Sequence, residues 1–422
     1  MKDILLHTPE GVRDIYNYEC EEKEIVKEKL HNTIHKYGYH SIETPTIEFF
    51  DIFSKDIGTT PSKELYRFFD KDGNTLVLRP DFTPSIARCA AKYYQDESIP
   101  VKLCYTGQTF VNHASYQGRL KETTQMGAEL IGDTSIDADV EILALLIECL
   151  KNAGLNDFQI SIGEVDFFNS LIEESNIDSF VEEELRELIT KKNFFGVEEL
   201  VDSLDMNEDH KNLFLNLLQL YGNIEVLEAA KKLTSNEKAL KAIDRIEEIF
   251  NILKCFGYEK YISFDLGLIT KIKYYTGITF KAFTYGSGDD IASGGRYDTL
   301  IEKFGKEAPS IGFALNLDKI LIAMQRQKID VPLNTDSKLV IYEKENRECA
   351  IDFCQNLREK NIKVNMLITD KFDGFEKYFE YAKSNVISDI IYLKNNENIQ
   401  IYNLTRKKSV NLVLEIYKNE YL

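Results

Sequence analysis

YTGQTFVNHASYQGRLKETTQMGAELIG, residues 105–132, has the pattern of a strand, a polar loop and a second strand. Loop residues between strands often face a ligand. This loop holds only two cations, Arg119 and Lys121. The stretch therefore predicts a ligand pocket that has few groups to hold the phosphates of a nucleotide.

The second strand of this stretch carries polar groups on one side. Because side chains alternate between the two faces of a sheet, Gln125, Gly127 and Glu129 share one face, and the residues between them are apolar. An amide, a carboxylate and a glycine that lets a ligand approach the backbone suit a small polar ligand with an amine. The alternative is an ordinary half-exposed strand that binds nothing.

LVLRPDFTPSIAR, residues 76–88, places two polar residues after an apolar strand. Asp81 and Thr83 stand just before a helix that we expect to start near Pro84, since proline suits the first turn of a helix. One interpretation is that both side chains face a site. The other is that Asp81 only caps the following helix.

Two further motifs, KYYTGITF (273–280) and GGRYDTL (294–300), combine aromatic residues with glycine. In an extended segment Tyr274 and Tyr275 point to opposite faces, so one can stand in a pocket while the other packs. The glycine pair before Arg296, Tyr297 and Asp298 allows close backbone approach. Four weak signals thus point to one pocket.

The remaining patterns predict several helices and turns. Apolar spacing predicts helices over residues 18–37 and 137–151, and DIFSKDIG, residues 51–58, is predicted to be helical. Asp72-Gly73 between two apolar runs predicts a β-hairpin. Residues 171–210 hold thirteen acidic and three basic residues on helical periodicity, which is typical of a solvated helix face.

Bulk composition limits the class of protein. A chain of 422 residues is expected to form two or three domains, and a net charge of −19 opposes broad binding of nucleic acid. Seven cysteines without metal-type spacing suit a reducing compartment, and the six histidines suggest no ligand cluster, so we expect no metal. Lacking a secretory pattern or a membrane span, the chain is expected in the cytoplasm.

The last ninety residues follow a polar segment, residues 325–337, that we expect to be a linker. They alternate strand, helix, strand, helix, strand as far as residue 394, which predicts a small α/β domain. Residues 334–422 hold fourteen basic and fourteen acidic residues. A tRNA-binding module is expected to be basic, so this balance argues against one.

Seven motifs in the same order resemble one known family. They are TPEGVRDI (8–15), ETPTIEFFDIF (43–53), LRPDFTP (78–84), GRLKETTQMGAELIG (118–132), YYTGITF (274–280), GGRYD (294–298) and APSIGFALNLDKI (308–320). Over residues 8 to about 324 the chain is similar to the class II histidyl-tRNA synthetase lineage. LRPDFTP and TTQMGAELIG make it most similar to the paralogues that serve as regulatory subunits of ATP phosphoribosyltransferase.

The resemblance implies an α+β fold: a class II aminoacyl-tRNA synthetase-like antiparallel sheet of six or seven strands, flanked by helices. It implies a histidine-binding domain over residues 1–324, with a helical insertion at about 170–255 and self-dimerisation around Pro45. Residues 334–422 would be a degenerate anticodon-binding-like α/β domain. Since many of these regulatory subunits are shorter, this tail is expected to depart from the family.

The resemblance also indicates lost chemistry. Adenylation needs fixed cations around the α-phosphate, and the synthetases carry arginine where this chain has Val111, Thr270 and Lys319. Losing one such group costs about 10²- to 10³-fold in rate, so we expect no useful adenylation. Lys271 and Lys273 are the two cations positioned to compensate partially.

Groups that bind histidine are retained, by the same resemblance. Asp81, Thr83 and Gln125 would meet the α-amino group, and Arg119 the carboxylate. Glu129 and one tyrosine would hold the imidazole. The residues expected in the histidine site are Asp81, Thr83, Arg119, Gln125, Glu129, Tyr274 and Tyr275.

These features lead to one functional hypothesis. The chain is expected to be a non-catalytic regulatory subunit without a cofactor, which binds L-histidine as effector. Its expected partner is the short-form catalytic ATP phosphoribosyltransferase subunit, in a hetero-oligomer such as a hetero-octamer, for the first step of histidine biosynthesis. The alternatives are a divergent histidyl-tRNA synthetase that aminoacylates tRNA and a paralogue that binds another amino acid.

Overall fold

The protein forms two compact units in a computed structural model. The first comprises Met1–Arg13 and Lys27–Asp330, and the second comprises Asp14–Val26 and Val331–Leu422. The structure describes residues 6–54, 57–58, 60–95, 99–113, 119–175, 177–204, 206, 208–269, 272, 274–332 and 337–420. Among these, no helix combines the length and the apolar composition that crossing a membrane requires.

The first unit is built on a nine-stranded sheet with a separate three-stranded sheet. Its strands are β1 (His40–Ser41), β2 (Ile47–Phe49), β3 (Arg67–Phe69), β4 (Thr75–Leu78), β5 (Val101–Phe110), β6 (Glu122–Ile131), β7 (Phe158–Glu164), β8 (Tyr221–Gly222), β9 (Ile262–Asp265), β10 (Ile278–Thr284), β11 (Ala292–Arg296) and β12 (Ser310–Asn316).

The order of strands in the large sheet is β1-β5-β6-β12-β11-β10-β7-β9-β8. The six neighbours from β5 to β7 all run antiparallel, as the resemblance implies. The count of nine exceeds the expected six or seven because three short strands extend the edges. Two of these, β1 and β9, pair in parallel with the antiparallel core, so the complete sheet is mixed.

Among the described residues, ten α-helices lie before residue 330. They are α1 (Asn17–Lys36), α2 (Thr83–Tyr93), α3 (Ile136–Ala153), α4 (Val165–Ser175), α5 (Ser179–Thr190), α6 (Phe194–Ser203), α7 (Glu208–Leu217), α8 (Glu225–Leu233), α9 (Glu237–Cys255) and α10 (Leu317–Gln327). The helices predicted over residues 18–37 and 137–151 and near Pro84 are confirmed as α1, α3 and α2.

Helix α3 shows how local sequence sets its bounds. The Ser135 hydroxyl accepts a hydrogen bond from the Ala138 amide at 3.2 Å and so satisfies one of the unpaired donors at the N-terminus. Gly154 ends the helix with φ = +111°, a left-handed conformation that glycine adopts without a Cβ penalty. Both faces of α3 are largely apolar and buried, which fixes it against β6 and β12.

The alternation in β6 is as the sequence predicts. Met126, Ala128 and Leu130 are buried on one face, while Gln125 and Glu129 point to the other. The alternative of a half-exposed strand is wrong because both faces of β6 are covered from Met126 onward. The polar face therefore looks into the interior of the unit rather than into solvent.

The predicted β-hairpin is confirmed in the three-stranded sheet, ordered β2-β4-β3. Strands β3 and β4 pair antiparallel, and Gly73 turns between them with φ = +86°. The side chain of Asp70 accepts hydrogen bonds from the Asp72 and Asn74 amides at 2.9 and 2.8 Å. The helix predicted over residues 51–58 is only a short 3-10 helix, Phe50–Phe53, and Lys55 and Asp56 lie outside the described residues.

Helices α4 to α9 fill the stretch between β7 and β9. Their buried positions are apolar, for example Leu185, Ile189 and Val197, while Glu183 and Glu187 are exposed. The solvated acidic face that the sequence predicts is confirmed at these positions.

The second unit contains a five-stranded sheet ordered β14-β13-β15-β16-β17, from β13 (Ser337–Tyr342), β14 (Lys363–Ile368), β15 (Asp389–Leu393), β16 (Asn398–Asn403) and β17 (Lys408–Val413). Its helices are α11 (Arg347–Glu359), α12 (Phe379–Ser384) and α13 (Leu414–Glu420). The predicted strand-helix alternation through β15 is confirmed. The antiparallel β16–β17 hairpin and α13 lie beyond the segment that the pattern covered.

Candidate functional site

A cavity of about 200 Å³ opens between the central strands and the start of α2. Pockets for drug-sized ligands occupy roughly 300 to 1,000 Å³, so this one suits a molecule the size of a single amino acid. Six of the seven residues expected to bind histidine line it: Asp81, Thr83, Gln125, Glu129, Tyr274 and Tyr275. The seventh, Arg119, does not.

Glu129 is the most deeply buried acidic group of this cavity, with 1% of its surface exposed. Its Oε1 accepts a hydrogen bond from the Thr83 hydroxyl at 2.9 Å, and its Oε2 accepts one from the Tyr297 hydroxyl at 2.6 Å. Burial raises the pKa of Glu129 to about 8, and the two hydrogen bonds oppose that rise. The carboxyl group is therefore largely protonated at neutral pH and poised to ionise when a cationic group enters.

Gly312 makes room for this carboxylate. It pairs with Glu129 across β12 and β6, and a Cβ at Gly312 would lie 1.6 Å from Glu129 Oε2. Gly127 has a similar role earlier in β6, where a Cβ would lie 2.3 Å from the Tyr105 hydroxyl. The two glycines explain why the polar face of β6 can hold a full-length acidic side chain in a buried sheet.

Asp81 forms a second acidic position at the start of α2. Its Oδ1 accepts hydrogen bonds from the Phe82 amide at 2.7 Å and from Gln125 Nε2 at 3.1 Å. Asp81 and Thr83 both line the cavity, and the N-cap of α2 is Phe82 without a side-chain capping bond, so the alternative that Asp81 only caps this helix is wrong. Asp81 and Gln125 together offer a carboxylate and an amide suited to an ammonium group.

The tyrosines form an aromatic wall. Tyr274 and Tyr275 precede β10 rather than lying in it, so the expectation of opposite faces is wrong and both line the cavity. The rings of Tyr274 and Tyr297 meet edge to face with centroids 5.9 Å apart. Burial raises the pKa of Tyr274 and Tyr275 well above the ordinary range, so both phenols stay neutral.

Tyr297 is the site residue that sequence reasoning missed. The glycines of the GGRYD motif were expected to allow close backbone approach, whereas Tyr297 was not assigned a binding role. It follows directly after β11, and its hydroxyl bonds Glu129 on β6 across the intervening β12, where Gly312 has no side chain to fill the space. The signal available in the sequence was a polar aromatic residue after a glycine-rich strand.

A second cavity, of about 610 Å³, adjoins the first and shares Pro80, Gln125, Ser293 and Ala314 with it. It contains Arg119 and two of the three positions where the synthetases carry arginine, Val111 and Lys319. The third, Thr270, lies outside the described residues, as do Lys271 and Lys273.

The cation at Lys319 is already engaged. Its Nζ lies 3.0 Å from Asp289 Oδ2 and 2.8 Å from the Asp290 carbonyl oxygen. Against the effect of burial, hydrogen bonding with Asp290 and the Lys319 ammonium hold the pKa of Asp289 at about 2, so this carboxylate is ionised at neutral pH. Val111 contributes no charge, so of these two positions one is apolar and the other holds a lysine engaged by Asp289; Arg119 and Lys121 also line the cavity.

Comparison with known proteins supports the fold and the family. A family model for histidyl-tRNA synthetase matches residues 11–320. The chain is 39% identical over 406 residues to the ATP phosphoribosyltransferase regulatory subunit of Acetivibrio thermocellus, covering 96% of this chain and 97% of the relative. It is 39% identical over 413 residues to the regulatory subunit of Ruminiclostridium cellulolyticum, covering 97% and 98%.

Comparison with solved structures supports the same fold. A Bacillus halodurans protein described as an ATP phosphoribosyltransferase regulatory subunit/histidyl-tRNA synthetase superposes with a TM-score of 0.81 at 31% identity, covering 92% of this chain and 98% of that one. The histidyl-tRNA synthetase of Nostoc sp. PCC 7120 also gives 0.81, at 18% identity and 99% coverage of both chains, which supports the fold alone.

The relatives also correct one expectation. Because the alignments to the Acetivibrio and Ruminiclostridium proteins cover nearly all of both chains, the tail is no departure from these relatives. The antiparallel core, the matching family model and the near-complete alignments agree with one another. This chain belongs to the histidyl-tRNA synthetase family and, within it, to the ATP phosphoribosyltransferase regulatory subunits.

Proposed function

We propose that this chain binds L-histidine in the 200 Å³ cavity and acts as a non-catalytic, histidine-sensing regulatory subunit of ATP phosphoribosyltransferase. The observation that carries the proposal is the buried Glu129 carboxyl group, held by Thr83 and Tyr297 in a cavity of amino-acid size. A buried carboxylate that faces a cation gains more than a surface pair, because little water screens it.

In the proposed complex the imidazole lies against Glu129 and the tyrosine wall. The α-ammonium group meets Asp81 and Gln125, with Thr83 beside them. The α-carboxylate then points to the boundary shared with the larger cavity, on the side of Arg119. A five-membered ring with two N–H positions suits a site that offers one carboxyl group and aromatic edges.

The larger cavity supports the absence of adenylation. Stabilising the charge that develops on an α-phosphate needs cations free to meet it. Val111 supplies none, and Lys319 is bonded to Asp289. Arg119 and Lys121 also line this cavity, and the proposed complex places the α-carboxylate of histidine on the side of Arg119. We infer that ATP, if it enters, is not activated here.

Regulation follows from the family relationship. The chain docks on the short-form catalytic subunit, supports its activity in the first step of histidine biosynthesis and transmits the occupancy of the cavity. This requires that histidine bind two arrangements of the complex with different affinity, a coupling usually of about 1 to 3 kcal/mol.

The small sheet supports the proposed self-association around Pro45. Ile47, Phe49 and Phe69 are 48%, 56% and 72% exposed on β2 and β3. Between the first two, Glu48 turns inward and pairs with Arg88 at 2.7 Å. A second copy of the chain would cover this apolar face and remove it from water.

Calorimetry with the full chain tests histidine binding directly. L-histidine should bind, and the other nineteen standard amino acids should bind weakly or not at all. Glu129→Gln should weaken histidine binding, while Tyr285→Phe, at an exposed position, should leave it unchanged. A different preferred amino acid, or no binding to any of them, contradicts the histidine assignment.

Activity measurements test the regulatory role and the main alternative. Purified short-form catalytic subunit should gain activity when this chain is added, and histidine should reduce the activity of the complex. Catalytic activity that is independent of this chain would contradict the proposal. Histidine-dependent exchange of pyrophosphate with ATP should stay at background, and robust exchange would identify a divergent histidyl-tRNA synthetase.

A further inference from the structure

Two histidines and a cysteine converge on the first unit, away from the residues that line the proposed histidine cavity. His31 and His35 lie one turn apart on α1, so their side chains project from the same face, and their Nε2 atoms are 3.0 Å apart. Cys104 on β5 stands beside them, because β1 and β5 pair in parallel with Ser41 opposite Cys104. The ligand atoms of His31, His35 and Cys104 all lie within 4.8 Å of one another.

The Ser41 hydroxyl completes the group. Its Oγ lies 3.2 Å from His31 Nε2, 3.1 Å from His35 Nε2 and 3.8 Å from Cys104 Sγ. Zinc bonds imidazole nitrogen at about 2.0–2.1 Å and thiolate sulfur at about 2.3 Å, so tetrahedral ligands lie roughly 3.3 to 3.6 Å apart. The distances among the two imidazoles and the Ser41 hydroxyl, and from that hydroxyl to the Cys104 sulfur, are therefore close to those of a tetrahedral shell, and the sulfur lies within 4.8 Å of both imidazole nitrogens.

The chemistry of the ligands favours one class of ion. Imidazole with thiolate suits Zn²⁺ and related transition metals, whereas Mg²⁺ and Ca²⁺ prefer oxygen. Burial raises the pKa of the Cys104 thiol, and a bound cation would reverse that preference by stabilising the thiolate.

The expectation of no ligand cluster among the histidines does not hold for this pair. The sequence shows that His31 and His35 are four residues apart. It does not show that Cys104 lies beside them, because that depends on the pairing of β1 with β5. The competing explanation is a hydrogen-bonded network of the same four groups, in which one imidazole donates to the other.

We propose that His31, His35 and Cys104 form a zinc site, with Ser41 Oγ or water in the fourth position. His35 and Ser41 are exposed and Cys104 is buried, so the ion would enter from solvent and cover the thiol. The proposal is independent of histidine binding, because none of these residues lines the 200 Å³ cavity.

Cobalt binding to the full, chelator-stripped chain tests the site. One equivalent of Co²⁺ should give tetrahedral d–d absorption together with thiolate-to-metal charge transfer, and Zn²⁺ should displace it. Cys104→Ala should abolish the charge-transfer band, and His31→Gln and His35→Gln should each weaken Co²⁺ binding more than tenfold. His35 is exposed, so its variant should keep the fold even if Cys104→Ala does not.

Matched controls come from the same chain. His40→Gln, at an exposed position outside the cluster, and Cys255→Ala, at an exposed cysteine, should leave the stoichiometry and both spectra unchanged. Absence of a charge-transfer band in the unmodified chain, or binding that survives the His31→Gln/His35→Gln double variant, would overturn the zinc site in favour of the hydrogen-bonded network.

Discussion

The hydroxyl of Tyr297 donates a 2.6 Å hydrogen bond to Oε2 of Glu129 and so joins the end of β11 to β6 across the intervening β12. Thr83 holds the other oxygen from the start of α2. Three separate segments of the chain thus meet at one buried carboxyl group. Two donors reduce the cost of burying it, yet its pKa remains at about 8.

Replacing Tyr297 by phenylalanine removes one of these donors. Since the bond lowers the pKa of Glu129, the pKa should rise further above 8 in Tyr297→Phe. A hydrogen bond to a charged group contributes about 1.5 to 3 kcal/mol, so histidine affinity should fall roughly 10- to 100-fold. Calorimetry at pH 7.5 measures this loss. Tyr285→Phe is the matched control, and equal affinities in the two variants would exclude a role for the Tyr297 hydroxyl.

Histidine affinity should depend on pH with a maximum between about 6.5 and 8. In this window the free imidazole, with an ordinary pKa of about 6.5, is neutral and Glu129 is protonated, so the proton can pass between them without exchange with solvent. At higher pH binding must take up a proton, and at lower pH it must release one. Affinity should therefore fall by up to about tenfold per pH unit on each side.

Calorimetry in buffers of different ionisation enthalpy counts these protons. We expect none exchanged near pH 7.2, uptake at pH 9 and release at pH 5.5. Glu129→Gln has no carboxyl group to titrate at this position, so the part of the alkaline decline that Glu129 causes should disappear. Only the decline due to deprotonation of the α-ammonium group of histidine should remain. An affinity that is constant from pH 6 to pH 9 in the unmodified chain would be incompatible with an imidazolium–Glu129 pair.

Gly312→Ala should displace the Glu129 carboxylate. The added Cβ would lie 1.6 Å from Oε2, and β12 is paired on both sides, so its backbone has little freedom to yield. Overpacking of this kind costs about 1 to 3 kcal/mol of folding free energy, and histidine binding should be lost. Urea denaturation and calorimetry measure the two effects.

A rescue experiment separates the contact from general damage to the strand. Gly312→Ala combined with Glu129→Ala removes the opposing carboxylate, so part of the lost stability should return while binding should not. The added Cβ would still lie 2.6 Å from the Ala128 carbonyl oxygen, so recovery should be incomplete. Gly267→Ala is the control, because its Cβ would come no closer than 3.3 Å to any heavy atom. If the double variant is less stable than Gly312→Ala alone, the clash is not the cause.

The sequence predicted the arrangement of β6 because a strand's period of two is a local property. Whether both faces of β6 are buried depends on the elements that cover the strand, including α3. The pattern of the strand's own residues does not reveal those elements. Tyr274 and Tyr275 show a related failure. Strand alternation was applied to them, but β10 begins only at Ile278, and a turn brings both rings into the cavity.

Contacts between distant residues were the least accessible to prediction. The resemblance placed Lys319 at the altered position, but its engagement with Asp289 depends on the loop between β10 and β11. Arg119 was expected beside the histidine carboxylate; it lines the larger cavity next to the first, and its contact with the ligand stays a prediction. Cys104 joins the two histidines only through the pairing of β1 with β5.

The ion cluster around Asp139 offers a test of stability apart from binding. Asp139 is fully buried, and Arg296 bonds its Oδ1 through Nε at 2.8 Å and Nη2 at 2.5 Å. Arg245 bonds the other oxygen through Nε at 2.9 Å, with 28% of its side chain exposed. Removing one partner of a buried pair costs about 3 to 5 kcal/mol, so Arg296→Met should lower the free energy of unfolding by that amount. Arg245→Met should cost less, because water can replace a partly exposed guanidinium.

Urea denaturation at pH 7.5 compares the two variants. Asp139→Leu with Arg296→Met removes both charges of the buried pair and should be more stable than Arg296→Met alone, since it removes a buried carboxylate left with only the partly exposed Arg245 as its charged partner. Equal losses in Arg296→Met and Arg245→Met would mean that burial does not decide how much each arginine contributes.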